Sequence, residues 1–105
     1  MTTFDKREDG FEKKFAHDEE LQFKAMARRN KLLGLWAAGI LGKSGPDADA
    51  YAKEVVMADF EEPGDDDVLH KVAKDLADKG VTERQIRAQM NELLATAIAQ
   101  VQAGT

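Results

Sequence analysis

The sequence predicts an all-α fold: a four-helix bundle preceded by a mobile, marginally helical N-terminal arm. Three observations lead there. Apolar residues recur at intervals of three and four from about residue 18 to residue 102, the spacing of a single helix face. The recurrence is broken at GKSGP, at EEPGDDD and at the Lys79-Gly80 step, and breaks this short favour antiparallel neighbours. No apolar/polar alternation of strand length competes with the helical period anywhere in the chain.

The arm comes first. Of the first 20 residues 11 are charged, which leaves too little apolar area to offset the entropy of ordering the segment. Yet Phe4, Phe11 and Phe15, three of the five phenylalanines, fall in it at spacings of seven and four. On a helix they share one stripe. An apolar stripe on an arm that cannot fold alone predicts a segment that folds against something else. The chain accordingly divides into an arm, residues 1–19, and a four-helix bundle serving as a docking domain, residues 20–105.

The first helix is expected from about Asp18 to Leu41, with Asp18 as N-cap and Glu19 and Glu20 set favourably against the helix dipole. Its inner face reads Leu21, Ala25, Arg28, Leu32, Leu35/Trp36 and Gly39/Ile40, with Trp36 in the core. Gly34 and Gly39 lie inside this helix, where each costs roughly 1 kcal/mol relative to alanine. Close approach of another helix would explain both. GKSGP ends the helix, since glycine stops one helix and proline starts the next.

The second helix, roughly Asp47 to Glu61, turns Ala48, Tyr51, Ala52, Val55 and Ala58 inward, with Val56 and Phe60 widening the stripe. The aspartates of EEPGDDD suit the start of a third helix, lined by Val68, Leu69, Val72, Ala73 and Leu76 and ended by Gly80. The fourth start is the clearest local signal. Thr82 and Gln85 have the spacing of a capping box, and Val81 with Ile86 that of a hydrophobic staple. Ile86, Met90, Leu93, Ala97 and Val101 continue the face to about Gln102.

Composition excludes several functions. At 105 residues the chain is one domain with a modest core. A net charge of −5 and a pI near 5.0 oppose a nucleic-acid partner, whose affinity comes from neutralised phosphates. The chain has no cysteine, hence no thiolate chemistry, and this fits a reducing cytoplasm. It has neither the layout of a signal peptide nor an apolar run long enough for membrane insertion. Charge is uneven: residues 21–46 hold five basic and no acidic groups, residues 47–67 nine acidic groups and one lysine. Either these segments are neighbours whose fields offset each other, or the first helix carries a basic docking surface.

Constellations for catalysis are missing, so no enzymatic role is expected. His17 and His70 are the only histidines, and both read as solvated groups, with His17 also available as a pH-sensitive contact. EEPGDDD lacks the alternating ligands of a calcium loop and reads as a helix-capping cluster. Gly42-Lys43-Ser44 invites a phosphate-loop reading, but Ala37 stands where the motif needs glycine, and a helix rather than a strand precedes it. No metal and no cofactor is required. Weak ATP or ADP binding at Arg28, Arg29 and Lys43 stays open.

Several blocks then fall into one known pattern: TTFDKRE, FEKKFAHDEEL, RNKLLGLWAA and AYAKEVV followed by ADFEEPGDDDVL. In this order and spacing the chain, from Thr2 to about Ile98, resembles the inhibitory zeta subunit of bacterial F-type ATP synthases. The resemblance implies an inhibitor of ATP hydrolysis whose arm enters a catalytic interface of the synthase head beside the central stalk and blocks rotation. It implies Phe4, Phe11 and Phe15 as apolar anchors, Arg7, Lys13 and Lys14 as polar contacts with His17 beside them, and a place on the cytoplasmic face of the membrane-bound synthase. Gly10 departs from a continuous inhibitory helix, weakening it by about 1 kcal/mol. Two other readings stand beside it: a small helical nucleotide-sensing or protein-interaction module, and a structural bundle with the arm packed on its own core. Self-association that hides the arm also stays open.

Overall fold

The structure, a computed structural model, describes residues 19–60 and 66–104. Four α-helices follow one another: α1 Glu19–Ile40, α2 Gly45–Ala58, α3 Asp66–Asp75 and α4 Glu83–Gln102, with a 3-10 turn Ala77–Lys79 between the last two. Among the described residues there is no strand. The expected bundle is present.

The helix ends follow from local chemistry. At the end of α1, Lys43 N–H donates to the Ala38 carbonyl at 2.8 Å and Gly42 N–H to the Gly39 carbonyl at 3.2 Å. That is the paired bonding of a Schellman cap, and it needs a left-handed residue. Gly42, at φ 78, supplies it. Gly42-Lys43-Ser44 is therefore a helix stop, with the Lys43 amide already committed to a carbonyl. Ser44 is extended at the N-cap of α2 and Pro46 sits in the first turn, where a missing N–H costs nothing. Before α4, Thr82 Oγ1 accepts from Gln85 N–H at 3.1 Å while Gln85 Oε1 accepts from Thr82 N–H at 2.9 Å. The capping box is formed. Val81 packs against the same core cluster as Ile86, as a staple requires.

The core draws on every helix: Leu33, Ala37 and Ala38 from α1, Tyr51 and Val55 from α2, Val68, Leu69 and Val72 from α3, Leu76 just beyond it, and Ile86 and Met90 from α4. The long α1 packs along both α2 and α4, and α3 bridges those two. For α2 and α3 the expected inner faces are the observed ones.

Helix α1 departs from expectation. Its buried residues are Ala25, Arg29, Asn30, Leu33, Gly34, Ala37 and Ala38, a line rotated from the Leu21–Arg28–Leu32–Trp36 face read from the sequence. Two partners require two close approaches, and small residues take the contact line. The large Leu32, Leu35 and Trp36 are only half-buried beside it. Gly34 is such a contact: a Cβ there would lie 2.5 Å from Ala52 Cα. Gly39 is not, for nothing lies within 4 Å of the same position. Helix α2 stops at Ala58 rather than Glu61, because Asp59 and Phe60 N–H groups reach back only three residues, to Val56 and Met57. Phe60 consequently lies beyond the helix and is 61% exposed; it does not widen the inner stripe.

Candidate functional site

The arm residues singled out above, Phe4, Arg7, Phe11, Lys13, Lys14, Phe15 and His17, lie outside the described residues. What the structure does show is the ground at the arm's root, where the chain enters α1 at Glu19. The early turns of α1 meet the last turns of α2 and α4 there, around an open groove of about 600 Å³. Its floor is apolar, made by Leu21, Phe23, Ala27, Val56 and Val101. Phe23 and Phe60 lie at 6.2 Å between ring centroids, tilted by 42°. Both are more than half exposed, as is Met57 nearby on α2. The sequence reading missed this patch. The available signal was Phe23 itself, a large aromatic off the Leu21–Arg28–Leu32–Trp36 face.

A basic row edges the groove. Lys24, Arg28 and Lys31 follow each other at spacings of four and three along α1, which places them on one side of the helix. Lys24 pairs with Glu20 at 3.1 Å, an exposed contact of little net worth. Arg28 Nη1 donates to Gln100 Oε1 at 3.3 Å, tying α1 to α4.

The three residues considered for nucleotide binding are not brought together. Arg29 is only 1% exposed; its Nε and Nη2 donate to Asn30 Oδ1 at 3.0 and 2.7 Å, and it faces the interior, not a surface. Lys43 is exposed beyond the far end of α1, about 22 Å from Arg28 at the helical rise. As for the acidic cluster, Asp66 and Asp67 occupy the first turn of α3, where carboxylates complement the dipole. No group of three potential metal ligands occurs among the described residues. His70 is exposed on α3, as expected of a solvated group on a helix.

The basic and acidic segments are neighbours: α1 and α2 pack along each other. On the other side of α2, Tyr51 forms a polar node. Its hydroxyl donates to Asp75 Oδ2 at 2.8 Å, Lys71 donates to the same oxygen at 3.2 Å, and the ammonium stands 5.2 Å from the Tyr51 ring centroid. Burial first, then the hydrogen bond to Asp75 and the negative charges of Asp75 and Glu54, push the phenol well above its ordinary 10.0. A raised acid contributes stability below its unfolded pKa and loses it as pH climbs towards the folded value. Stability is thus expected to fall above about pH 10, the ordinary phenol value, and Tyr51→Phe to flatten that alkaline limb while costing about 1–2 kcal/mol at neutral pH. As the chain has one tyrosine, phenolate absorbance reads the group alone. Ionisation at an ordinary pKa in the folded protein would contradict the expectation.

No helix among the described residues is long and apolar enough to cross a membrane. No curated protein matches the chain. Four chains of solved structures do. One, determined by solution NMR, is 55% identical with a TM-score of 0.74, and the match covers 81% of this chain and 99% of that one. The family model of the ATPase inhibitor subunit zeta matches residues 1–100. A bundle with an apolar groove at the root of a phenylalanine-bearing arm, matched from its first residue into its fourth helix, belongs to the ATPase inhibitor subunit zeta family.

Proposed function

We propose that the chain inhibits ATP hydrolysis by the bacterial F-type ATP synthase, with residues 1–19 as the inhibitory arm and residues 20–105 as the docking bundle. One observation carries this: the match to the inhibitor family begins at residue 1 and so takes in the arm together with the bundle. The arm enters a catalytic interface of the head beside the central stalk, on the cytoplasmic face of the membrane-bound enzyme. Burial of Phe4, Phe11 and Phe15 contributes roughly 1.5–3 kcal/mol each, against the ordering cost of a segment rich in charge. Arg7, Lys13, Lys14 and His17 make the flanking polar contacts. The inhibitor itself carries out no chemistry and needs no cofactor. It occupies an interface that must change shape in each catalytic cycle and makes one conformation too stable to leave.

The test is an ATP-hydrolysis assay of the synthase head with the full chain and with a chain lacking residues 2–18. The shortened chain is expected to keep its thermal transition within a few degrees, since the core clusters described above are drawn from α1 to α4. Its inhibition is expected to be lost. Inhibition undiminished by the deletion would refute the assignment. A milder version, Phe11→Ser with Phe15→Ser, removes two anchors and is expected to weaken inhibition by at least about tenfold, or 1.4 kcal/mol.

A further inference from the structure

The large apolar side chains that stand well exposed among the described residues are Phe23, Met57 and Phe60, and all of them lie on one face. Phe23 lines the groove at the root of α1, with Phe60 beside its ring. Met57 lines a second hollow of about 480 Å³ between α1 and α2, floored by Ala52 and Val56. The two hollows share Lys31 and Val56, so they form one apolar trough across both helices. Exposed apolar residues scattered singly carry no message, but a contiguous set marks a contact site.

The charge of the rim says what the trough takes. Lys24, Arg28, Lys31 and Lys53 line it against one carboxylate, Asp49, although the chain as a whole carries −5. Lys24 and Arg28 are already engaged, by Glu20 and Gln100. No ion pair or side-chain hydrogen bond engages Lys31 or Lys53 among the described residues, and both line the hollow that holds Met57. Two open ammonium groups from neighbouring helices, set beside an apolar floor, suit a partner whose carboxylates flank large apolar side chains. A second copy placed symmetrically on this face would bring the same lysines together, which like charge opposes. The net charge opposes an anionic bilayer. The described residues offer no strand edge, so the fitting mode is a helix laid in a groove.

The position of the trough says where that partner stands. Glu19 opens α1 one turn before Phe23, so a synthase head that holds the arm lies against this end of the bundle. With the inhibitory reading above as premise, we propose that the trough is the face by which the bundle grips the head, and that it takes an acidic amphipathic helix there. Phe23, Met57 and Phe60 supply the apolar contact, and Lys31 and Lys53 pair with the carboxylates. Trough and arm are then two linked modules, the first raising the effective concentration of the second at its interface. The trough sets how little protein is needed; the arm sets whether rotation stops.

The test uses the full chain and the isolated head. Lys31→Glu with Lys53→Glu is expected to raise the concentration for half-inhibition about tenfold at low salt and to flatten its salt dependence. Maximal inhibition at saturation stays unchanged, because the arm is intact. Met57→Ser with Phe60→Ser is expected to weaken potency by about tenfold as well, with the salt dependence kept. Lys43→Glu, beyond the far end of α1, is the charge control and leaves potency as it was. All five positions are exposed, so thermal transitions stay within a few degrees. Unchanged or raised potency in the double variants overturns the proposal, as does an equal loss at Lys43. Methionine oxidation by peroxide gives a readout independent of inhibition. Met57 is 62% exposed and Met90 only 2%, so the free chain is oxidised at the first and spared at the second. Bound head is expected to slow oxidation of Met57 at least about threefold, as burial of the thioether requires. Oxidation at the free rate on an inhibited head overturns the proposal and leaves the inhibitory reading standing. A head that protects Met57 but keeps hydrolysing ATP refutes the inhibitory reading and keeps the face. Protection by excess chain alone, or by anionic phospholipid vesicles, in place of the head would assign the face to a second copy or a bilayer and overturn the proposal.

Discussion

Gly34→Val is expected to remove about 3 kcal/mol or more of folding stability, a large share of what a domain of this size possesses. Even the first atom of the new side chain has no room, because a Cβ at residue 34 would stand 2.5 Å from Ala52 Cα and 3.3 Å from Val55 Cγ2. The obstructing atom is backbone, which no rotamer change can move. Relief requires α1 and α2 to separate, and separation opens the cluster around Leu33 and Val55. Gly34→Ala meets the same obstruction with a smaller group. Its packing cost of about 1–3 kcal/mol is partly offset by a helix-propensity gain near 1 kcal/mol. Gly39→Ala provides the control within the same helix. Nothing stands within 4 Å of its would-be Cβ, so it is expected to stabilise by about 0.5–1 kcal/mol. Thermal melts of the three variants check the series, with roughly 4–8 °C for each kcal/mol in a domain this small. Equal effects at residues 34 and 39 would refute the close-approach account.

Arg29→Ala is expected to cost about 2–4 kcal/mol, whereas Arg28→Ala costs less than about 1 kcal/mol. Adjacent in sequence and alike in chemistry, the two arginines differ in where the helix turns them. Arg29 is 1% exposed and gives two bonds to Asn30 Oδ1. Its removal leaves that buried oxygen without those donors, at about 1–3 kcal/mol, and empties the space of its aliphatic stem. Arg28 is half-buried and holds Gln100 near the groove. Denaturant titration of both variants discriminates: similar losses would place both side chains in the same environment, against the structure. Asn30 belongs to the same unit. Among the described residues its Nδ2 is buried without an acceptor, which makes it the polar weak point of α1.

These two residues also show where sequence patterning succeeds and where it stops. Tyr51, Val55, Val72 and Ile86 were legible as core because α2, α3 and α4 each carry one apolar face at a single phase. Thr82 and Gln85 were legible because a capping box depends only on residues three apart. Helix α1 was misphased because it packs against two helices, and size misleads there. The contact line goes to Ala25, Gly34, Ala37 and Ala38, which approach closely, while Leu32 and Trp36 cover its margins. No hydropathy count would turn Arg29 inward, a charged residue whose guanidinium donates to Asn30 Oδ1 in the interior. At the candidate site, the phenylalanine stripe of the arm and the basic stretch of α1 were both visible. The groove was not, because Val56 and Val101 reach it from helices far apart in sequence.

The placement of the first buried residue in α1 has a mechanical consequence. Residues 19–24 precede Ala25, and none of them is buried. A steady pull on the arm from a turning machine would unwind these residues before it strains the core. Each would lengthen from 1.5 Å to about 3.4 Å, which gives about 11 Å of slack. If the arm acts as proposed, the root of α1 would be a short compliant leader between it and the bundle. Amide exchange faster at residues 19–24 than at 25–38 would show this softness, and uniform protection along α1 would rule it out.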